Sequence, residues 1–112
     1  MTEMKTKRSA PVTAILAEVR AARKSVEDRT VPVAGGHRPH KGRSHHLHEA
    51  SRWRTINTSR DLDGVPGWDS TLLAAAFGTL AEQRPEDARA GLVHLAALAV
   101  AAVESIDRGP CE

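Results

Sequence analysis

Aromatic residues are scarce in this chain. Its 112 residues include no tyrosine, one phenylalanine and two tryptophans, namely Phe77, Trp53 and Trp68. Strands favour aromatic and β-branched residues, whereas the apolar residues here are largely alanine, leucine and valine. The composition therefore favours closely packed helices over a sheet. A chain this short also buries a limited core, so we expect self-association to contribute to its stability.

Cysteine is nearly absent, since Cys111 is the single one. A lone cysteine excludes an internal disulfide, and no stretch resembles a secretory signal, so we expect a reducing, cytoplasmic setting. The longest apolar run, residues 95–103, is rich in alanine and too short to span a bilayer. We therefore expect this run to be helix core, and we expect no membrane partner.

The net charge is small, at +2, but it is unevenly distributed. Residues 1–60 carry 13 Lys and Arg against 5 Asp and Glu, a balance of +8. Residues 61–112 carry 3 against 9, a balance of −6. A basic half followed by an acidic half suggests self-association by charge complementarity, or an anionic partner for the first half.

The N-terminal part of the chain predicts one amphipathic helix. Residues 1–8 lack periodicity and are expected to form a flexible basic terminus. A helix is then predicted over about 10–28, with Pro11 in its first turn, where the missing N–H has no cost. Its apolar stripe recurs at spacings of three and four residues and consists of Val12, Ile15, Leu16, Val19 and Val26.

The C-terminal part predicts two helices joined by a short turn. The first is expected over about 70–83, with Asp69 or Ser70 as its N-cap. The second is expected over about 85–107, with Pro85 in its first turn and Gly109 as a C-cap. We expect these helices to form a hairpin and dimerisation to complete the all-α fold.

Between these parts lies a basic, histidine-rich segment, residues 30–67. Proline, paired glycines and clustered positive charge disfavour a regular element there. We expect a largely irregular segment with a brief helical turn over about 46–53. Together, residues 9–109 are expected to form a single all-α domain.

The C-terminal sequence resembles that of the MazG-like superfamily of all-α nucleoside-triphosphate pyrophosphohydrolases, particularly its short actinobacterial and phage-type members. In that family a tryptophan precedes a helix of the form LLEExxE, and a second helix begins ELVQ or ELxD and ends near IEALDR. Here Trp68 is followed by LLAAAFGTLAE, a turn, and GLVHLAALAVAAVESIDR. The opening ILAEVRAARKSVEDR is also similar to the family's first helix.

The resemblance implies hydrolysis of nucleotides to a monophosphate and pyrophosphate with Mg²⁺, which requires oxygen ligands. At the five positions where the family supplies carboxylates, this chain has none, and a neutral histidine is a poor Mg²⁺ ligand. We therefore expect no catalytic residue and no cofactor. Mg²⁺ would enter only if Asp61, Asp63, Asp69 or Glu82 served as displaced ligands. The matching positions are Ala74, Ala75, Gly78, Gly91 and His94.

On the first hairpin helix, Ala74, Ala75 and Gly78 lie opposite the bulky face at 100° per residue, so this helix is apolar or small almost all the way round. Such a helix is normally buried on both sides. We therefore expect the former metal face to be a packing surface. It would pack against the first helix, the middle segment or a second subunit.

Five histidines fall within 12 positions of the middle segment. Imidazole suits zinc and nickel, but interleaved Arg and Lys would repel a cation and no cysteine lies nearby. We therefore favour a solvated loop over a metal site. The histidines are His37, His40, His45, His46 and His48.

The same segment could contact nucleic acid or another anion, because its positive charges accompany a tryptophan able to stack on bases. Against this, no recognisable nucleic-acid-binding module is present. A solvated basic segment, or one pairing with the acidic hairpin, is the favoured interpretation. The candidate contacts are Arg38, Lys41, Arg43, Arg52, Trp53, Arg54 and Arg60.

The sequence therefore predicts a non-catalytic MazG-like protein, dimeric or of higher order, that binds a protein or a nucleotide rather than turning over a substrate. One alternative is a small nucleic-acid-binding accessory protein that uses residues 37–60. The other is a diverged, Mg²⁺-dependent nucleotide pyrophosphohydrolase.

Overall fold

A computed structural model describes residues 2–109, with side chains from Val12 onward. Over this range the protein is all-α, as predicted, and no strand is present. Cys111 lies outside the described residues. The helices are α1 (Thr2–Arg23), α2 (Pro39–Asp63), α3 (Trp68–Leu80) and α4 (Pro85–Arg108).

Helix α1 differs from its prediction at both ends. It begins at Thr2, so residues 2–8 form its first turns, and Pro11 lies inside it. It ends at Arg23 instead of near Asp28 because local hydrogen bonds take over. The Ser25 hydroxyl donates to the Ala22 carbonyl at 2.8 Å, and the Arg23 guanidinium bonds to Asp28 at 2.6 Å. Side chains that bond to nearby backbone carbonyls compete with continuation of a helix.

Helix α2 is the largest correction, because most of the segment predicted to be irregular is one helix of 25 residues. Most helix-breaking residues lie outside it, since Pro32 and the paired glycines 35 and 36 precede it and Pro66 follows it. Pro39 itself occupies the start of the helix, where a missing N–H is harmless. Only Gly42 interrupts the interior. The predicted turn over 46–53 is therefore part of a much longer element.

A glycine ends α2. Gly64 has a φ of 73°, and its N–H donates to the Asp61 carbonyl at 3.2 Å. The N–H of Val65 donates to the Arg60 carbonyl at 2.9 Å. This pair of bonds is a Schellman motif, which satisfies carbonyls at the helix end and favours glycine at the left-handed position.

Helices α3 and α4 lie close to their predicted bounds of 70–83 and 85–107. Pro85 starts α4, as predicted, and Gly109 follows its last turn with a φ of 81°. The N-cap of α3 is Gly67, not Asp69 or Ser70. Ser70 has a different role, because its side chain is fully buried and bonds across to α2.

The chain divides into two compact units, one of which comprises residues 31–98. In this unit α2 and α3 run antiparallel. Ala50 of α2 lies beside Gly78 near the end of α3, whereas Asn57, later on α2, bonds to Ser70 near the start of α3. Helix α4 reaches α3 through Gly91, which lies against Thr79.

The other unit comprises α1 with the following residues to Thr30, and the end of α4 from Ala99. Its buried apolar side chains among the described residues are Ile15 and Ala102. Many large apolar side chains of these helix segments remain between 37% and 74% exposed. They are Val12, Leu16, Val19, Val103 and Ile106.

Helix α4 is also long and apolar enough to cross a membrane, judged by length and composition. Only 6% of its apolar 18-residue window is buried. One such helix is weak evidence, because helices of soluble proteins pass the same test. The absence of a membrane partner, expected from residues 95–103 alone, therefore stays a prediction.

Candidate ligand-binding cleft

A cavity of about 490 Å³ opens between α2, α3 and the N-terminal half of α4. Four of the five positions that match the resembled family's metal site line it, namely Ala74, Ala75, Gly78 and His94. These positions therefore form part of the wall of a cleft, and Gly78 among them also lies against α2. The other lining residues are Leu47, Arg54, Thr71, Thr79, Ala81, Glu82 and Leu98.

Close packing of α2 on α3 forms one side of this cleft. Ala50 is 0% exposed, and a β-carbon added at Gly78 would lie 4.0 Å from the Ala50 β-carbon. Small residues let two helices approach closely. The small face of α3 thus contacts the middle segment, which was one of the three neighbours considered from the sequence.

The fifth position, Gly91, does not line the cleft and lies against Thr79 of α3 instead. A β-carbon at Gly91 would lie 2.5 Å from the Thr79 hydroxyl oxygen and 3.1 Å from the Thr79 β-carbon. Thr79 is 6% exposed and β-branched, so it has little freedom to move. A carboxylate side chain at position 91 would therefore require α3 and α4 to separate.

A small hydrogen-bond network fixes the first turn of α3 on α2. The Asn57 carbonyl oxygen accepts from the hydroxyls of Ser70 at 2.7 Å and Thr71 at 3.1 Å. Because Ser70 is fully buried, this partner prevents an unsatisfied hydroxyl. Thr71 also lines the cleft, so the network sets the position of one cleft residue. The sequence did not indicate Asn57, since its helix was not recognised.

An ion pair lies beside this network. An Arg60 guanidinium nitrogen is 2.8 Å from a carboxylate oxygen of Asp69, and this bond lowers the pKa of the Asp69 carboxyl below its ordinary value of 3.8. A hydrogen bond from the Ser70 backbone lowers the pKa further. Asp69 also stands in the first turn of α3, where a negative charge favours the helix dipole. Arg60 therefore has an internal partner.

Arg54 places a positive charge inside the cleft. A guanidinium nitrogen of Arg54 lies 3.9 Å from where a Gly78 β-carbon would stand. None of the described residues forms an ion pair with Arg54. Its guanidinium thus has no acidic partner among the described residues and lies beside Gly78, one of the positions that match the resembled family's metal site. Glu82 follows Gly78 by about one helical turn and adds a carboxylate to the same cleft.

The histidines of the middle segment do not converge. His37 precedes α2, His45 and His48 share one face of the helix, and His40 and His46 lie at other angles around it. The ring of His46 packs against the ring of Phe77, with centroids 5.8 Å apart. Within residues 2–109, no three His, Cys, Asp or Glu side chains are placed to hold a metal ion.

The four acidic residues considered as displaced Mg²⁺ ligands do not form a cluster either. Asp61 and Asp63 belong to the last turn of α2, and Asp69 is paired with Arg60. Glu82 alone among them lines the cleft.

The basic residues predicted as nucleic-acid contacts do not form one surface. Arg54 faces the cleft, and Arg43 lines a second cavity of about 270 Å³ with residues 31–34. Trp53 is half-buried, with the Arg52 guanidinium 5.4 Å from its ring centroid. Arg38 precedes α2 as its N-cap residue. Two of the basic candidates on α2, Lys41 and Arg52, are exposed and line neither cavity.

Comparison of the chain with protein-family models, with curated proteins and with solved structures finds no match. Function is therefore inferred from the side chains of the cleft. These are small at its wall, cationic at Arg54, and polar at Thr71 and Thr79.

Proposed function

We propose that this protein is a non-catalytic relative of the MazG-like pyrophosphohydrolases that binds an anionic ligand, a nucleotide, in the cleft beside Arg54. The observation that carries the proposal is the free Arg54 guanidinium next to Gly78. A positive charge there opposes a divalent cation and favours a phosphate oxygen. Alanine and glycine at positions 74, 75 and 78 offer no metal ligand to offset that charge.

The other lining residues suit such a ligand. A guanidinium donates paired hydrogen bonds to phosphate oxygens, and these charge-assisted bonds are among the strongest in proteins. The hydroxyls of Thr71 and Thr79 line the same cavity, while Ala74, Ala75 and Leu98 present an apolar wall to a base or sugar. A volume of about 490 Å³ lies within the usual range for small-molecule sites. The Glu82 carboxylate is available to accept hydrogen bonds from an amino group of a base.

We also propose that the protein self-associates through the apolar faces of α1 and the end of α4. Val12, Leu16 and Val19 are all exposed on α1, and Val103 and Ile106 are exposed on α4. Burial of apolar surface contributes about 25 cal/mol per Å², so covering these faces would favour a dimer. A different protein that covers the same faces is the alternative partner.

Calorimetric titration with a panel of nucleotides, in buffer containing a metal chelator, tests the cleft. We expect saturable binding without metal, and loss of at least tenfold in affinity for Arg54→Ala. Arg52→Ala is the matched control, because Arg52 lies on α2 outside the cleft. Equal affinities of both variants and the wild type, or no binding of any nucleotide by the wild type, would contradict the proposal.

A pyrophosphate-release assay with Mg²⁺ and Mn²⁺ tests the absence of turnover. We expect release equal to the blank for every nucleoside triphosphate. Release above the blank that Arg54→Ala abolishes would instead support the diverged enzyme.

Light scattering tests self-association. We expect a mass of at least twice 12.1 kDa, which Leu16→Glu with Val103→Glu reduces to that of one chain. A wild-type mass of one chain at micromolar concentration would exclude the dimer. Far-UV circular dichroism of the variant checks that its helices remain.

A further inference from the structure

The face of α2 opposite the cleft carries a row of basic side chains. Lys41, His45, His48 and Arg52 follow one another at spacings of four, three and four residues, and all four are exposed. At 100° per residue they fall within a sector of about 60°. The row is about 16 Å long, since each residue rises 1.5 Å. Ala50 and Asn57, which contact α3, lie on the other side of the helix.

We infer that this row, Lys41–His45–His48–Arg52, binds the phosphate backbone of nucleic acid. The row points away from α3, so it is separate from the nucleotide cleft and does not depend on it. A straight line of cationic and hydrogen-bonding groups complements a backbone that carries one charge per phosphate. The exposed hydroxyl of Ser59 continues the same face, and hydroxyls are common phosphate donors.

Competing charges on this face are few. Arg52 is 3.3 Å from Glu49, but the Glu49 side chain is 19% exposed whereas that of Arg52 is 56% exposed. The Arg52 guanidinium is the more exposed partner of this 3.3 Å pair, so it stays accessible to another anion. Asp63 lies within the same angular sector, but it stands at the end of α2, about 16 Å along the helix from Arg52. The first turn of α2 contains no acidic residue.

The composition of this face favours nucleic acid over a lipid surface. A helix that lies on a membrane needs a wide apolar face beside its basic residues. Here only Leu62 borders the row as an exposed large apolar residue, near the far end of the helix. No side chain of the row is arranged to read base edges in pairs, so the binding is expected to be independent of sequence.

Fluorescence anisotropy with a labelled 20-nucleotide single strand and a 20-base-pair duplex tests this inference. We expect binding at 50 mM salt that weakens at 200 mM. Each phosphate neutralised contributes about −0.9 to the slope of log affinity against log salt for duplex DNA. Replacing Lys41 and Arg52 by alanine should therefore reduce the slope by about 1.8. Replacing all four residues of the row should abolish binding.

Alanine is the best helix former, so these variants should keep α2, which circular dichroism checks. Arg20→Ala with Arg89→Ala is the matched control, because both arginines are exposed and lie outside α2. Arg54→Ala should retain oligonucleotide binding, which separates this inference from the proposed nucleotide cleft. An unchanged slope in the Lys41/Arg52 variant would overturn the inference. Binding to phosphatidylserine vesicles without binding to either oligonucleotide would also overturn it.

Discussion

The hydroxyl of Thr79 occupies the space into which any side chain at position 91 would project. The Thr79 oxygen is 2.5 Å from the place of a Gly91 β-carbon, well inside van der Waals contact. Helices α3 and α4 can approach this closely only because position 91 is glycine. A carboxylate side chain, which the resemblance predicts at this position, would not fit between the two helices as they are packed.

Gly91→Ala should destabilise the protein. The added methyl would force Thr79 or α4 to move, and such overpacking typically costs about 1–3 kcal/mol. A gain of up to about 1 kcal/mol in helix propensity offsets this only in part. Urea denaturation followed by circular dichroism measures the change in the free energy of unfolding. Recovery of stability in Gly91→Ala with Thr79→Ala would show that the clash is the cause, since the hydroxyl at 2.5 Å and the methyl at 3.0 Å are both removed.

Gly78→Ala should have the opposite effect. A β-carbon there would meet Arg54 at 3.9 Å and Ala50 at 4.0 Å, which are ordinary contact distances. Alanine inside a helix is favoured over glycine by about 0.5–1 kcal/mol, so the free energy of unfolding should rise by up to that amount. The same urea titration measures it. A decrease in stability would mean that α2 and α3 are closer at this point than described.

Asn57→Ala should destabilise the start of α3. The buried Ser70 hydroxyl would lose its acceptor at 2.7 Å and keep only the Gly67 carbonyl at 3.4 Å. The cost should lie toward the lower end of the range of about 1–3 kcal/mol for an unsatisfied buried polar group. Asn57→Asp keeps a carbonyl-type acceptor and should be milder. Thermal unfolding of both variants provides the comparison, and equal losses would show that the acceptor oxygen is not the important feature.

The Arg60–Asp69 pair should make stability depend on pH. The pKa of Asp69 is lowered in the folded state, so its contribution is present above the unfolded pKa of about 3.9 and is lost as the pH falls through the lower folded pKa. Wild type should therefore be more stable than Asp69→Asn at pH 7, and the difference should shrink below about pH 4. Denaturation at pH 7, 4 and 2.5 measures this, and a constant difference would exclude the linkage.

Local sequence patterns were sufficient for part of the fold. The apolar periodicity and the position of Pro85 predicted α3 and α4 to within a few residues, because end residues and spacing act locally. The same patterns failed for α2. This helix is polar and rich in histidine, and it contacts α3 through a narrow face that includes Ala50 and Asn57. Such a narrow face gives no apolar periodicity, so it becomes apparent only when the neighbouring helix is in place.

The candidate site, too, was predictable from the sequence only in part. The sequence by itself determined that no carboxylate stands at the five matching positions and that the chain is helical. Only the tertiary structure decided that four of those positions border an open cleft, that Thr79 excludes a side chain at Gly91, and that Arg54 faces Gly78. These contacts join residues up to 24 positions apart in the sequence. They arise from the packing of α2 and α4 on α3, which local spacing does not encode.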